Sequence, residues 1–206
     1  MTFTVPELIK YFIALMALIN PIEGMAVYLS MSSSINKNDR AGFIRRASVA
    51  VFIILAVSLL IGGLVLSLFG VSVAAFQLAG GILLFLIALQ MALPGSSSND
   101  TALEGGPNAA IVPLALPILV GPGVIASAIL YGTYCHNPAD YSVMTLMMFA
   151  AALLVFIGLK IADRVGGKLS PVTIEISTRL CGLIVAAIAM EMMVKALLEL
   201  FPGLGK

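Results

Sequence analysis

The sequence has no tryptophan, one histidine, two cysteines and few charges: 11 Lys+Arg and 10 Asp+Glu in 206 residues. An average soluble domain is about 25% charged, and this chain is only 10% charged. That scarcity excludes a soluble enzyme, a disordered chain and a nucleic-acid binder, because no such protein covers its surface with so little charge. The signs nearly balance, so the total implies no acidic or basic partner. A lone histidine, His136, excludes His/Cys metal clusters and HExxH chemistry, and no Walker loop or nucleophile elbow is present. No enzyme activity, metal or cofactor is expected. Cys135 falls in a polar loop and Cys181 in an apolar run, so no disulfide between them is expected. The opening residues MTFTVPELIK lack the basic n-region and cleavage site of a removed signal; the first apolar stretch reads as a retained helix.

What is present is apolar: 61% hydrophobic residues and a mean hydropathy of +1.12. The fold class is therefore all-α, a polytopic membrane protein with residues 1–206 in one transmembrane domain. A bilayer core needs about 20 apolar residues per helix. Six spans fit: about 8–31, 47–69, 73–93, 110–133, 143–162 and 177–200. The polar breaks are SSSINKNDRAGFIRR, a short turn at Gly70, PGSSSNDTALEGGPN, YCHNPADY and DRVGGKLSPVT. Lys37, Arg40, Arg45 and Arg46 flank the first break, and Lys160, Arg164 and Lys168 the last. Positive residues favour the cytoplasm, so both termini are expected on the outer side. Lys10, Lys195 and Lys206 weaken this bias without reversing it.

Sliding the chain by 101 residues aligns 14–29 with 115–130 and 77–91 with 178–192, with nine of 31 positions identical. Pro21 falls on Pro122, Gly81 on Gly182 and Gln90 on Glu191. The repeat unit holds three spans. Three is odd, so the second copy enters from the opposite side, as in inverted-topology transporter folds. Repeat one covers 8–93, a cytoplasmic linker 94–109, and repeat two 110–200.

Span 1 contains Asn20-Pro21, and span 4 contains Gly121-Pro122-Gly123 at the matching place. Proline cannot donate and clashes with the preceding turn, so helices 1 and 4 are expected to be broken. Asn is a preferred N-cap and Pro a preferred first helical residue. Each break therefore reads as the start of a half-helix whose N–H groups suit a carboxylate. Pro113 and Pro117 read as ordinary kinks or entry residues.

Glu23 lies inside span 1, where a carboxylate is costly. It has two readings: a capping box reaching back to the Asn20 N–H, or a proton-coupling or substrate-ammonium site. Glu191, deep in span 6, is a second proton-coupling candidate or an interfacial residue. Arg179 is placed to pair with Glu175, Gln77 to lie at the interface, and His136 to be exposed. Gly24, Gly123, Ala126 and Ser127 leave room for a small ligand.

Four stretches carry a family resemblance: Asn20-Pro21-Ile22 with the following YLSMSSS, AGGILLFLIALQMALP at 79–94, VPLALPILVGPGVIAS at 112–127, and TRLCGLIVAAIAMEMM at 178–193. Together they resemble the MarC family, also called the small neutral amino acid transporter family, of bacterial and archaeal inner membranes. FPGL at 201–204 is similar to its YchE branch. The resemblance implies a six-span protein and, for some members, transport of glycine and alanine. The family pattern has Gly where this chain has Glu23 and Pro where it has Ala26.

The expected function is thus a proton-coupled secondary transporter or exporter of a small zwitterionic solute, a neutral amino acid. Its candidate substrate-binding residues are Asn20, Pro21, Glu23, Gly24, Gly121, Pro122, Gly123 and Ser127, with Glu23 and Glu191 as proton-coupling candidates. Its expected partners are the lipid bilayer and its solute, with a homo-oligomer possible and no nucleic acid. The alternatives are a transporter or flippase of a lipid-linked or amphipathic solute, and a non-transporting membrane scaffold.

Overall fold

A computed structural model describes residues 3–32, 35–93, 110–165 and 170–205. The linker expected over 94–109 lies outside the described residues. Among the described residues seven α-helices follow in order: α1 Val5–Ile19, α2 Pro21–Ser32, α3 Arg40–Leu68, α4 Val73–Ala92, α5 Pro122–Thr133, α6 Pro138–Val165 and α7 Pro171–Leu200. A π-type helix, Ala110–Leu119, precedes α5, and a short 3₁₀ turn, Pro202–Gly205, follows α7. The described residues contain no strand.

Among the described residues, five helical stretches are long and apolar enough to cross a membrane: Val5–Ser32, Arg40–Leu68, Val73–Ala92, Pro138–Val165 and Val172–Leu200. The fourth expected span is broken at Gly121-Pro122, as expected, into the π-type segment and the 12-residue α5. The helices outlast their apolar stretches because charged residues such as Arg40 to Arg46 continue the helical backbone past the hydrocarbon zone.

Local chemistry accounts for most of the ends. The residue before a proline is driven out of the α region, and Asn20, Gly121 and Ser170 each precede one. Asn20 adopts φ 43°, ψ 70°, Gly121 φ −75°, ψ 173°, and Ser170 φ −64°, ψ 130°. The turn between α3 and α4 closes as a Schellman motif. Gly70 takes φ 65°, its N–H donates to Ser67 O (3.1 Å), and the Val71 N–H donates to Leu66 O (3.0 Å). The Ser72 hydroxyl oxygen then caps α4 by accepting from the Ala75 N–H.

Within the π-type segment, Pro113 and Pro117 lack the N–H that an α-helix needs. The wider i→i−5 pattern appears in the Val120 N–H donating to Ala115 O at 2.9 Å. Before α6, the Asn137 side chain accepts from the Asp140 N–H, and Asp140 accepts from the His136 N–H. Asp140 is fully buried by this exchange, while His136 is exposed as expected.

The main core joins α1, α2, α3, α6, the π-type segment and α5 through residues including Leu15, Tyr28, Leu55, Leu114, Met144 and Met148. A smaller cluster, Leu84, Ala88, Val185 and Ala189 with Ala17, seals α4 against α7. These two helices run antiparallel in close contact. A methyl group on Gly81 would meet Met193 Cγ at 2.7 Å and Ala189 O at 3.1 Å. One on Gly182 would meet Met91 Cβ at 2.8 Å, with Ala88 O and Ala92 N at 3.0 Å. The second set of backbone contacts is the first displaced by the 101-residue offset: 81, 189 and 193 become 182, 88 and 92. Small residues let membrane helices approach closely enough for dense packing. The opposite faces carry exposed Ile53, Leu64, Ile82, Leu183 and Val194, suited to lipid.

Two predictions follow from this packing. Gly182→Ala should destabilise the detergent-solubilised protein by about 1–3 kcal/mol, the cost of overpacking, measured as a fall in unfolding midpoint. Gly63→Ala, whose added methyl would meet only Thr133 Cγ2 at 3.7 Å, should cost almost nothing. In the loop after α5, burial pushes the Cys135 thiol up to about 11, with the nearby Asp140 charge adding to the shift. The thiolate is the reactive form. With Cys181 replaced by Ser, alkylation by iodoacetamide should be slow at pH 7.5 and accelerate steadily toward pH 11; a rate that levels off below pH 9 contradicts the burial.

Candidate functional site

The first break is one residue long. Asn20 takes the left-handed conformation, which asparagine tolerates better than most residues. Its N–H still donates to Met16 O at 3.1 Å, and its carbonyl accepts from the Gly24 N–H at 3.2 Å. Pro21 has no N–H, so the Ala17 carbonyl, four residues back, loses the partner a continuous helix would give it.

The expected capping geometry does not form. The Asn20 N–H is already taken by α1, so Glu23 cannot cap it. Instead the Asn20 side-chain amide donates through Nδ2 to Glu23 Oε2 at 2.9 Å and to Thr178 Oγ1 of α7 at 3.4 Å. The left-handed turn directs the side chain sideways toward α7 rather than along α2. Asn20 is only 3% exposed, and its Oδ1 has no hydrogen-bond partner among the described residues.

Gly24 is buried, and a methyl on it would collide with Leu119 at the end of the π-type segment. The two breaks are therefore neighbours through Gly24 and Leu119. Their polar groups do not converge. Pro122 is exposed and lines an apolar groove of about 300 Å³ between α4 and α5, with Phe76, Gly80, Leu83, Ile125 and Ile129. Gly123 faces Leu84 and Ile87 of α4, and Ser127 is buried. Gly121 supplies no side-chain cap to α5.

Glu191 is elsewhere. It accepts from Lys10 Nζ and Lys195 Nζ, each at 3.1 Å, and its side chain is 46% exposed. Thirteen residues of helix separate it from Thr178, about 20 Å. Arg179 pairs with Glu175 at 2.5 Å as expected. Gln77 is not interfacial; it is buried at 5% exposure where α4 packs inside the bundle.

Two features escape the sequence reading. Thr178 was legible only as the residue that the 101-residue offset places on Gln77, another polar side chain at the start of a third span. The other is a tie between α2, α3 and α6. The buried Tyr28 hydroxyl donates to Asp163 Oδ1 at 2.8 Å, and Arg40 Nη1 meets the same oxygen at 3.4 Å. Arg40 Nη2 also donates to Ser32 O at 2.5 Å. The offset relates Tyr28 and Asp163 to Ile129 and Gly62, which also pack directly together. One pair is polar and the other apolar. No local spacing signals a contact between residues 135 positions apart. Among the described residues no three His, Cys, Asp or Glu side chains converge as a metal site.

Comparison with known proteins agrees with this architecture. The family model described as MarC family integral membrane protein matches residues 5–201. The UPF0056 membrane protein YhcE of Escherichia coli is 36% identical over 98% of this chain and 97% of its own length. A UPF0056 membrane protein of Pyrococcus abyssi is 31% identical over 90% of this chain and 92% of its own. YvbG of Bacillus subtilis, another UPF0056 membrane protein, is 29% identical over 96% and 97%. No solved structure matches the chain. With a family model spanning nearly its whole length and relatives in both bacteria and archaea, the chain belongs to the MarC family of integral membrane proteins.

Proposed function

We propose that this protein is a proton-coupled secondary transporter or exporter of small neutral amino acids, a carrier rather than an enzyme. It works in the cytoplasmic membrane with both termini outside. Six spans form two inverted three-helix repeats, with spans 1 and 4 broken. The observation that carries the reading is the half-buried Asn20–Glu23 pair at a helix break, in contact with the segment that leads into the second break. Broken helices beside an intramembrane carboxylate are the sites where such folds bind substrate and coupling ion. The contacts of Gly81 and Gly182, repeated at the 101-residue offset, support the inverted repeat.

Mechanistically, Glu23 is the one acidic side chain at the break. Protonation changes its charge and therefore its hold on Asn20 Nδ2, which coupled transport requires. Gly24 and Leu119 fill the space around the break and restrict it to a small solute. The apolar groove beside Pro122 favours one second reading, a carrier of an amphipathic solute whose apolar part lies between α4 and α5.

In proteoliposomes, an imposed proton gradient should drive accumulation of labelled glycine or alanine. Glu23→Gln should reduce that accumulation to the level of protein-free vesicles while leaving the purified protein folded. Absence of flux across a broad panel of labelled amino acids removes the amino acid reading, and flux of Glu23→Gln undiminished by loss of the carboxylate removes proton coupling through Glu23.

A further inference from the structure

The first break is rich in acceptors and has no cation of its own. Asn20 Oδ1 is buried and unpartnered. Two atoms away on the same amide, Nδ2 is committed to Glu23 and Thr178. The Ala17 carbonyl has lost its helical donor to Pro21. Among the described residues no lysine or arginine forms an ion pair with Glu23. The nearest basic residue along α7, Arg179, is held by Glu175 four residues back. Glu191, the second proton-coupling candidate, has two lysines. Glu23 has an amide donor and nothing positive.

A carboxylate at membrane depth is costly unless it is neutralised or paired, and a buried orphan acceptor adds about 1–3 kcal/mol to that cost. Both costs are relieved by one small positive group. An anion would face the Glu23 carboxylate and the unpartnered Asn20 Oδ1, so this break disfavours the carboxylate end of a solute. A divalent ion needs six or more oxygens, usually with several carboxylates, and only one carboxylate is present. Broken membrane helices use the freed carbonyls of the first half-helix for monovalent ions in the same way.

We infer that the break between α1 and α2 is a binding site for a small monovalent cation, held by Asn20, Glu23 and Thr178 of α7. The cation is either a free ion or the ammonium group of a solute. The inference deepens the transport reading and rests on the same site. It reverses the polarity expected from the Asn20-Pro21 motif: the break takes the positive end of a zwitterion, not its carboxylate.

The test is ligand-dependent thermal unfolding of the full-length protein in detergent at constant ionic strength, with choline chloride as the reference because choline is too large. Sodium chloride, methylammonium chloride, glycine and sodium acetate are compared. A midpoint raised by sodium alone assigns the site to a free ion. One raised by methylammonium and glycine assigns it to an ammonium group. In either case Glu23→Gln should weaken the effect about tenfold or more, the worth of a charge-assisted hydrogen bond. Thr178→Val, of equal shape, should weaken it by less. No shift over choline with any probe overturns the site, as does a shift that survives Glu23→Gln or one that follows acetate rather than its cation. A cation shift without amino acid flux in proteoliposomes overturns the transport reading and leaves the site standing.

Discussion

In hydrocarbon every backbone N–H and C=O must find its partner within the protein. That constraint shapes this molecule more than any single contact. It requires continuous helices wherever lipid touches the chain, and α3, α4, α6 and α7 comply with 20 to 30 residues each. Irregular backbone survives at membrane depth only where protein covers it. The first interruption meets that condition, since Asn20 is 3% exposed; at the second, Val120 is buried while Pro122 borders the apolar groove.

The interruptions solve the same problem by different chemistry. Proline denies its predecessor the α region. Asparagine answers by turning left-handed, which keeps its own N–H within α1 and frees a polar side chain. Glycine answers by extending, with no side chain to free. One break therefore collects an amide, a carboxylate and a hydroxyl, and the other borders an apolar groove. The same asymmetry recurs where the offset relates Tyr28 and Asp163 to Ile129 and Gly62. On the proposed transport reading, two related breaks that differ in polarity would let two open states differ in what they bind.

Packing holds α4 against α7 at a seam with no room for an added methyl at Gly81 or Gly182. Gly81 and Gly182 bring α4 and α7 close enough that backbone atoms of one helix lie near 3 Å from a methyl placed on the other. Lipid offers no hydrophobic drive between helices, so dense contact of this kind carries the association. The seam also fixes α7 beside α1, and so sets Thr178 against Asn20.

Much of this was legible in the chain itself. Apolar runs of about 20 residues located the helices, because the bilayer sets their length. Pro21 and Pro122 located both breaks, because a missing N–H acts locally. The pairing of Arg179 with Glu175 was legible for the same local reason, four residues being one helical turn. The burial of Gln77, the approach of Lys10 to Glu191 and the meeting of Asn20 with Thr178 were not legible. Each depends on which helix lies alongside which, and on a backbone angle at Asn20 that proline narrows without choosing. Composition and proline determined that this protein is a bundle of membrane helices with two breaks. Only the tertiary structure decided that the first break directs the Asn20 amide donor at Thr178 of α7 and leaves Glu23 without an ion-pair partner among the described residues, because charge balance at such a site is set by neighbours that are distant along the chain.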